Sequence, residues 1–156
     1  MTDHLRLDEQ LCFPLYAASR AMTAVYRPKL DKLGLTYPQY LVMLALWERD
    51  GRSVGELCTT LSLDSGTLSP LLKRLQTAGL VQRQRSTADE RRVEIRLTGT
   101  GREMRAQARD IPNEMAEAVG LSSDEFVALR DTLRRMTETL SAQPRISHPR
   151  SESEHS

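Results

Sequence analysis

The chain has 156 residues, 39% of them hydrophobic, so it is long enough to bury a core of its own. It has no run of 18 apolar residues and its N-terminal stretch MTDHLRLDEQ is acidic, which argues against a membrane span or signal peptide and predicts a cytoplasmic protein. Two cysteines, Cys12 and Cys58, and three histidines without a Cys-x-x-Cys motif are too few for a disulfide scaffold or a typical zinc site.

Positive charge is concentrated in one part of the chain, although the formal net charge is only +1. The cations crowd into residues 73–96 and are Lys73, Arg74, Arg83, Arg85, Arg91, Arg92 and Arg96. A local basic face of this kind is typical of proteins that bind nucleic acid.

The first predicted helix begins in the motif LCFPLY, residues 11–16, because Pro14 fits a first helical turn, where its missing N–H would have no partner. Helical spacing continues through Leu15, Ser19, Met22 and Tyr26. Pro28 is expected to bend or end this helix, and Gly34 separates it from the next. Cys12 is therefore predicted to lie at, or just before, a helix N-terminus.

The second predicted helix is YPQYLVMLALWERD, with Thr36 as its cap and Pro38 in its first turn. Its apolar content predicts a core helix, and the apolar surface expected to be buried carries Leu41, Leu44, Ala45 and Trp47. Asp50 and Gly51 then turn the chain into the next unit.

Residues 53–98 are predicted to form two short helices, a tight turn and a charged hairpin. The first helix, SVGELCTTLSL, has an apolar face, and the second, LDSGTLSPLLKRLQTAGL, opens on Asp64 or Ser65 as N-cap and closes on Gly79. LVQRQRS and RRVEIRLT read as strands that flank the polar tip 87–90, with Val93, Ile95 and Leu97 alternating with charged residues. The order predicts a mainly α fold built on a winged helix-turn-helix.

Two further helices are predicted after the hairpin, from Arg102 to about Val119 and from Ser123 to about Leu140. The second has an apolar stripe formed by Phe126, Leu129, Leu133, Met136 and Leu140. Segments 5–34 and 102–141 lie outside a minimal winged helix, so we expect them to be dimerisation helices that pack on a second copy of the chain. Residues 1–142 would form one domain, and the Pro- and Ser-rich 143–156 a disordered tail.

The stretch 63–101 resembles the DNA-binding core of the MarR family of bacterial regulators, with an Asp89-x-Arg91 wing tip and a Leu97-Thr98-x-x-Gly101 ending. The LCFPLY motif, Tyr26, and the stretches 36–40 (TYPQY) and 63–68 (LDSGTL) are similar to the OhrR organic hydroperoxide sensors within that family. The similarity spans roughly residues 11–140. It implies a winged-helix homodimer that binds double-stranded operator DNA as a repressor, responds to organic hydroperoxide and is not an enzyme.

The same resemblance assigns roles to the N-terminal motif. It implies that Cys12 is the peroxide sensor and that Tyr16 and Tyr26 donate hydrogen bonds to it, one of them from the other subunit, with Tyr37 as a further candidate. Some members carry a second, resolving cysteine in the C-terminal helices. No cysteine follows Cys58 in this chain, so it resembles the one-cysteine type.

The chemistry expected at Cys12 is independent of the family. A thiolate is the form that attacks a peroxide oxygen, and a helix N-terminus and tyrosine hydroxyls both favour the anion. The resulting sulfenic acid can be capped by a low-molecular-weight thiol. A lone cysteine is more often an inert small hydrophobe, which is the role expected for Cys58, but the motif around Cys12 favours a sensor.

The DNA contacts are expected on the second helix of the helix-turn-helix and on the hairpin. N-terminal helix positions reach bases and later basic positions hold phosphates. The pattern Asp89-x-Arg91 indicates that Asp89 orients Arg91 for a narrow minor groove. The candidate residues are Asp64, Ser65, Thr67, Ser69, Lys73, Arg74, Arg83, Arg85, Asp89 and Arg91.

Two alternatives use the same residues differently. A thiol-dependent peroxidase would use Cys12 catalytically, although the missing resolving cysteine and the basic hairpin count against it. A regulator that binds a phenolic or other aromatic ligand in the dimer cleft would leave Cys12 inert. No cofactor, metal or membrane partner is expected under any of these readings.

Overall fold

The computed structural model describes residues 5–143 and holds seven α-helices and three β-strands over that range. The helices are α1 (Cys12–Asp31), α2 (Tyr37–Glu48), α3 (Val54–Leu61), α4 (Ser65–Thr77), α5 (Gly99–Gln107), α6 (Ile111–Val119) and α7 (Ser123–Ser141). The strands are β1 (Arg52–Ser53), β2 (Val81–Arg85) and β3 (Val93–Leu97). The first compact unit ends at Val119 and contains α1 to α6 with all three strands, and the second begins at Gly120 and contains α7.

The winged helix-turn-helix predicted over residues 53–98 is confirmed. Ser62 has a left-handed backbone conformation, with φ 54°, and makes the turn between α3 and α4. Gly79, with φ 74°, follows the C-terminus of α4 and turns the chain away from the helix. The antiparallel sheet has the order β1-β3-β2, and the β2–β3 hairpin pairs Val81 with Leu97. The sheet thus places the hairpin next to α4.

Local capping explains where most of these helices begin. The side chains of Thr36, Ser53 and Ser122 each accept a hydrogen bond from the backbone N–H three residues on, and the side chains of Gln39, Glu56 and Glu125 each accept one from the backbone N–H of the cap residue. Asp64 caps α4 through the backbone N–H of Thr67. The predicted caps Thr36 and Asp64 are therefore confirmed.

Helix α1 begins at Cys12 with Pro14 in its first turn, as predicted, but it does not end at Pro28. It continues to Asp31. Pro28 lacks the N–H that would bond the carbonyl of Ala24, and both residues are exposed, so water can satisfy that carbonyl. Proline is tolerated here because the lost hydrogen bond lies on the solvent side.

The buried face of α2 differs from the predicted one. Tyr40, Val42, Met43 and Leu46 are almost completely buried, together with the expected Ala45, whereas Leu44 is 37% exposed and Leu41 and Trp47 are half-buried. The helix is apolar on nearly every side, so residue spacing alone does not select the face that packs on α3, α4 and β3. In β3, too, the alternation is imperfect: Val93 is exposed and Glu94 is buried beside Arg96.

The single helix predicted from Arg102 to Val119 is wrong, because this stretch contains α5 and α6 with a break at residues 108–110. In the interior of one long helix Pro112 would remove a backbone hydrogen bond and crowd the preceding turn, and in the structure it lies in the first turn of α6. Helix α5 also starts earlier than predicted, at Gly99, where the side chain of Thr98 accepts from the Gly101 N–H at 3.1 Å.

Helix α7 follows the prediction closely, ending at Ser141, and none of its residues is buried. Of its apolar stripe, Phe126, Leu129 and Leu140 are exposed, and Leu133 and Met136 are half-buried. No helix among residues 5–143 is long and apolar enough to cross a membrane. The tail predicted over 143–156 lies outside the described residues, apart from Gln143.

Candidate DNA interface and sensor site

Two of the predicted DNA-contact residues at the start of α4, Asp64 and Thr67, hydrogen-bond to each other in the N-terminal cap of the helix. One carboxylate oxygen of Asp64 accepts from the Thr67 N–H at 2.8 Å, and the other accepts from the Thr67 hydroxyl at 3.1 Å. These two bonds lower the pKa of the Asp64 carboxyl, the backbone bond contributing most. Asp64 and Thr67 therefore fix the direction of α4 and leave other side chains to reach outward.

The remaining polar and basic residues of α4 lie on its exposed side. Leu68, Leu71, Leu72 and Leu75 face the core, so the opposite side of the helix carries Ser65, Ser69, Lys73 and Arg74. Within residues 5–143, no hydrogen bond or ion pair engages the side chains of these four exposed residues. The helix offers hydroxyls near its N-terminus and cations near its C-terminus, which suits base contacts and phosphate contacts respectively.

The wing carries three more unpaired cations. Arg83 and Arg85 are exposed on β2, and Arg91 is exposed just after the tip; none of the three has an ion-pair partner in the described part of the chain. Asp89 accepts from the backbone N–H of Arg91 at 3.0 Å, so it organises the turn of the tip. Asp89 contacts the backbone of Arg91, and the Arg91 guanidinium has no partner within residues 5–143, so the orienting role of Asp89 toward DNA stays a prediction.

Two other arginines of the basic cluster form ion pairs with nearby glutamates. Arg96 pairs with Glu94 at 2.8 Å, and Arg92 pairs with Glu56 of α3 at 2.5 Å. The backbone N–H of Ser53, then Arg92 and Arg49, lower the pKa of the Glu56 carboxyl to about 2. The other five clustered cations face solvent and have no ion-pair partner within residues 5–143; they are Lys73, Arg74, Arg83, Arg85 and Arg91.

Glu56 is a functional candidate that the sequence pattern did not single out. The spacing Ser53-x-x-Glu56 signals a capping box and could have identified it as a helix-start residue. Its contact with Arg92, 36 positions away, has no local signal.

Cys12 is the first residue of α1 and is exposed to solvent. Exposed apolar side chains surround it in sequence, with Leu11 65% and Tyr16 62% exposed and Phe13 partly so. The guanidinium of Arg20 lies over the Tyr16 ring, 5.4 Å from its centroid. An exposed thiol at a helix N-terminus with an apolar rim is suited to react with a peroxide that has an organic group.

Tyr26 and Tyr37 belong to an aromatic cluster between α1 and α2. The Tyr26 ring centroid lies 4.9 Å from that of Tyr37 and 5.8 Å from that of Tyr40. Burial, with smaller contributions from Tyr37 and Tyr40, raises the pKa of Tyr26 to about 12. Its hydroxyl therefore stays protonated at neutral pH and can donate a hydrogen bond.

No hydrogen bond joins Cys12 to Tyr16, Tyr26 or Tyr37 within the described chain. The tyrosine partners of the thiol remain a prediction, and one that involves a second subunit. Cys58 is half-buried and packs against the core beside Leu57, in line with its expected structural role. Among residues 5–143, no three His, Cys, Asp or Glu side chains are grouped so that they could hold a metal ion.

A line of contacts connects the aromatic cluster to the wing. The Tyr40 and Trp47 rings meet edge to face with centroids 6.3 Å apart. Trp47 donates from its indole nitrogen to the carbonyl of Gly101 at 2.8 Å, and Gly101 packs directly against the carbonyl of Leu80, next to β2. The aromatic cluster between α1 and α2 is therefore connected, through Trp47 and Gly101, to the residue that precedes β2.

The chain matches the family model described as transcriptional regulator SarA/Rot over residues 24–108, which includes the whole helix-turn-helix and hairpin. It is 47% identical over 138 residues to the organic hydroperoxide resistance transcriptional regulator of Bacillus subtilis (strain 168), covering 88% of this chain and 94% of that protein. It is 48% identical over 140 residues to the HTH-type transcriptional regulator TtmR of Methylorubrum extorquens (strain PA1), covering 90% and 72% respectively.

The fold is similar to that of the solved structure of reduced AbfR, a protein of Staphylococcus epidermidis, bound to DNA. The TM-score is 0.71 at 34% identity, and the match covers 91% of this chain and all of the AbfR chain. The winged helix, the matched model and these relatives agree. The chain belongs to the MarR family of bacterial transcriptional regulators and is similar over most of its length to an organic hydroperoxide resistance regulator.

Proposed function

We propose that this protein is a redox-sensing repressor that binds operator DNA as a homodimer and releases it when an organic hydroperoxide oxidises Cys12. The observation that carries the proposal is the position of Cys12. It is an exposed thiol at the N-terminus of α1 with an apolar rim, in a chain whose α4 and wing carry unpaired cations.

DNA binding is supported by how polar side chains are distributed. Ser65 and Ser69 lie near the N-terminal end of α4, where a recognition helix meets base edges, and Lys73 and Arg74 follow at phosphate-binding positions. Arg83, Arg85 and Arg91 extend this basic surface along the wing. A repressor that binds chromosomal DNA acts in the cytoplasm. It does not need to turn over a substrate.

Dimerisation is supported by apolar side chains that the single chain leaves exposed. Helix α1 buries only Leu30, and Met22 and Val25 are exposed on it. Helix α7, described by itself, buries no residue and exposes Phe126, Val127 and Leu129. Isolated proteins seldom leave two such helices uncovered, so the first helix and segment 102–141 are proposed to pack on a second copy.

The proposed sensor reaction conserves atoms and electrons. The Cys12 thiolate attacks the terminal oxygen of the hydroperoxide, so that an S–O bond forms and the O–O bond breaks. The sulfur is oxidised to a sulfenic acid, and the alkoxide takes up a proton and leaves as an alcohol. A low-molecular-weight thiol then attacks that sulfur, forming a mixed disulfide and releasing water. Cys58 is buried in part against the core and does not resolve the sulfenic acid.

The aromatic cluster supplies the proposed route from Cys12 to DNA. In the proposed dimer, oxidation changes how the first turn of α1 packs on the second subunit. Tyr26 joins α1 to α2, and Trp47 joins α2 to Gly101. AbfR has been solved bound to DNA in its reduced and overoxidized forms, and also in a disulfide form. That set is consistent with a disulfide being a larger perturbation than added oxygen alone.

Mass spectrometry after addition of one equivalent of cumene hydroperoxide tests the proposal against its alternatives. We expect a Cys12 sulfenic acid that persists without added thiol. When excess peroxide and a small thiol are supplied instead, we expect no repeated consumption of peroxide. Repeated consumption would indicate a peroxidase. An unmodified Cys12, together with DNA release by a phenolic compound, would indicate a ligand-responsive regulator.

A further inference from the structure

Glu56, in the first turn of α3, connects three elements around the helix-turn-helix. One of its carboxylate oxygens accepts from the Ser53 N–H at 2.7 Å and from the Arg92 guanidinium at 2.5 Å. The other accepts from Arg49, at the end of α2, at 3.0 Å. Glu56 therefore links the tip end of β3 to the first turn of α3, beside the pairing of β1 with β3.

This contact gives two neighbouring arginines of the wing opposite situations. Arg91 is exposed and has no ion-pair partner within residues 5–143, whereas the charge of Arg92 is balanced by Glu56. The side chain of Arg92 is still 45% exposed, so it is held by the ion pair and not by burial. Without the carboxylate, its guanidinium would be free to turn toward a nearby phosphate.

We propose that Glu56 is a specificity-determining residue of the DNA interface, which keeps Arg92 off the DNA backbone and fixes the wing so that Arg91, and not its neighbour Arg92, extends from the tip. This inference rests on the DNA binding proposed above. Phosphate contacts strengthen binding to every sequence, while placement of the wing matters only where the groove fits it. Holding Arg92 back therefore favours the operator over other DNA.

The variant Glu56→Gln separates charge from helix capping, because glutamine also serves at this position of a capping box. Binding would be measured against an operator selected from random duplexes with the wild-type protein, and against a scrambled duplex. Release of Arg92 should steepen the salt dependence by about 0.9 per subunit in log–log slope. It should tighten binding to the scrambled duplex by up to about eightfold per subunit at 0.1 M salt, without a matching gain for the operator.

Two further variants identify the responsible cation. Arg92→Gln alone should keep the wild-type salt slope, because Arg92 does not contact DNA, and the double variant Glu56→Gln, Arg92→Gln should return to that slope. Glu48→Gln is the matched charge control. Its carboxylate pairs with Arg52, which is buried and cannot be released, so the slope should not change.

The outcomes separate this inference from the function on which it rests. A wild-type protein that selects no duplex contradicts DNA binding itself. If the wild type binds, three results overturn the role of Glu56. These are an unchanged slope in folded Glu56→Gln, a double variant that keeps the steeper slope, and a shallower slope in Arg92→Gln. The last remains decisive even if Glu56→Gln does not fold.

Discussion

Trp47 donates a hydrogen bond from its indole nitrogen to the carbonyl oxygen of Gly101, at 2.8 Å, and so joins α2 to the first turn of α5. On its other side Gly101 approaches the backbone just before β2 so closely that a Cβ added to it would lie 2.1 Å from the carbonyl oxygen of Leu80. The junction of the wing with the helical core is thus built on a residue without a side chain.

Gly101→Ala should therefore destabilise the protein by roughly 1–3 kcal/mol, because the methyl group forces a backbone shift in a packed site. Gly99→Ala is the matched control in the same helix. It has open space around its Cβ position and should be neutral or stabilise the fold by about 0.5–1 kcal/mol. Urea unfolding of both variants measures the difference, and equal stabilities would contradict the close approach.

Local signals made parts of this fold predictable from the sequence. The caps at Thr36 and Asp64 were predictable because a cap depends on residues within one turn. The helix-turn-helix and hairpin follow from the order of short periodic segments. The buried face of α2 was not predictable, since a helix that is apolar all round has no periodicity to read, and Val42 and Met43 are buried where Leu44 was expected.

In the candidate site, too, features that depend on nearby residues were predictable from the sequence and features that depend on distant residues were not. The unpaired cations Arg83, Arg85 and Arg91 were predicted as contacts from local charge and position. The neutralisation of Arg92 was not, because it depends on Glu56 across the fold. The capping use of Thr67 was likewise hidden, since a hydroxyl near a helix start serves a cap or a base equally well in sequence.

Removal of the Arg91 guanidinium should lower both the affinity for operator DNA and the dependence of binding on salt. Arg91→Ala is expected to lower operator affinity and to reduce the salt slope by about one per subunit, since one phosphate-neutralising or groove-inserted charge is lost. Arg130→Ala, which removes an exposed cation paired with Asp131 on α7, should leave the slope unchanged. Unchanged affinity and slope in folded Arg91→Ala would mean that the wing tip is not a contact.

The capped carboxylates should make stability depend on acid pH. The folded pKa of Glu56 is lowered from 4.5 to about 2, chiefly by the Ser53 N–H, so its ionised form stabilises the fold. That contribution is complete above about pH 4.5 and is lost as the pH falls toward 2. The Tm of the wild type should exceed that of Glu56→Gln at pH 6, by a margin that narrows below pH 4.5. A margin independent of pH would contradict this ionic role.

The proposed dimer can be broken at an exposed apolar residue. Sedimentation velocity at micromolar concentration should give a dimer for the wild type and a monomer for Leu129→Asp, whose charge would enter the interface. Because Leu129 is exposed in the single chain, the monomer should remain helical by circular dichroism. Thr59→Asp, at an exposed position on α3, should stay dimeric. A monomeric wild type, or a dimeric Leu129→Asp, would contradict the arrangement.

A dimeric repressor of this family should occupy two half-sites on one face of the duplex. Recognition helices of such dimers lie about 34–36 Å apart, one turn of DNA. For the dimer to release DNA, oxidation at Cys12 must make this spacing of the recognition helices less favourable. A coupling of ~1–3 kcal/mol lowers operator affinity by about 5–150-fold, and a bulky mixed disulfide should shift packed helices more than a sulfenic acid does.

The most direct measurement is a titration of operator binding against cumene hydroperoxide, with and without a small thiol, for the wild type, Cys12→Ser and Cys58→Ser. We expect the wild type and Cys58→Ser to release DNA, more completely with thiol, because Cys58 is packed against the core. Cys12→Ser should bind the operator and keep it at every peroxide concentration. Release from Cys12→Ser, or retention by Cys58→Ser, would contradict the assignment of Cys12 as the sensor.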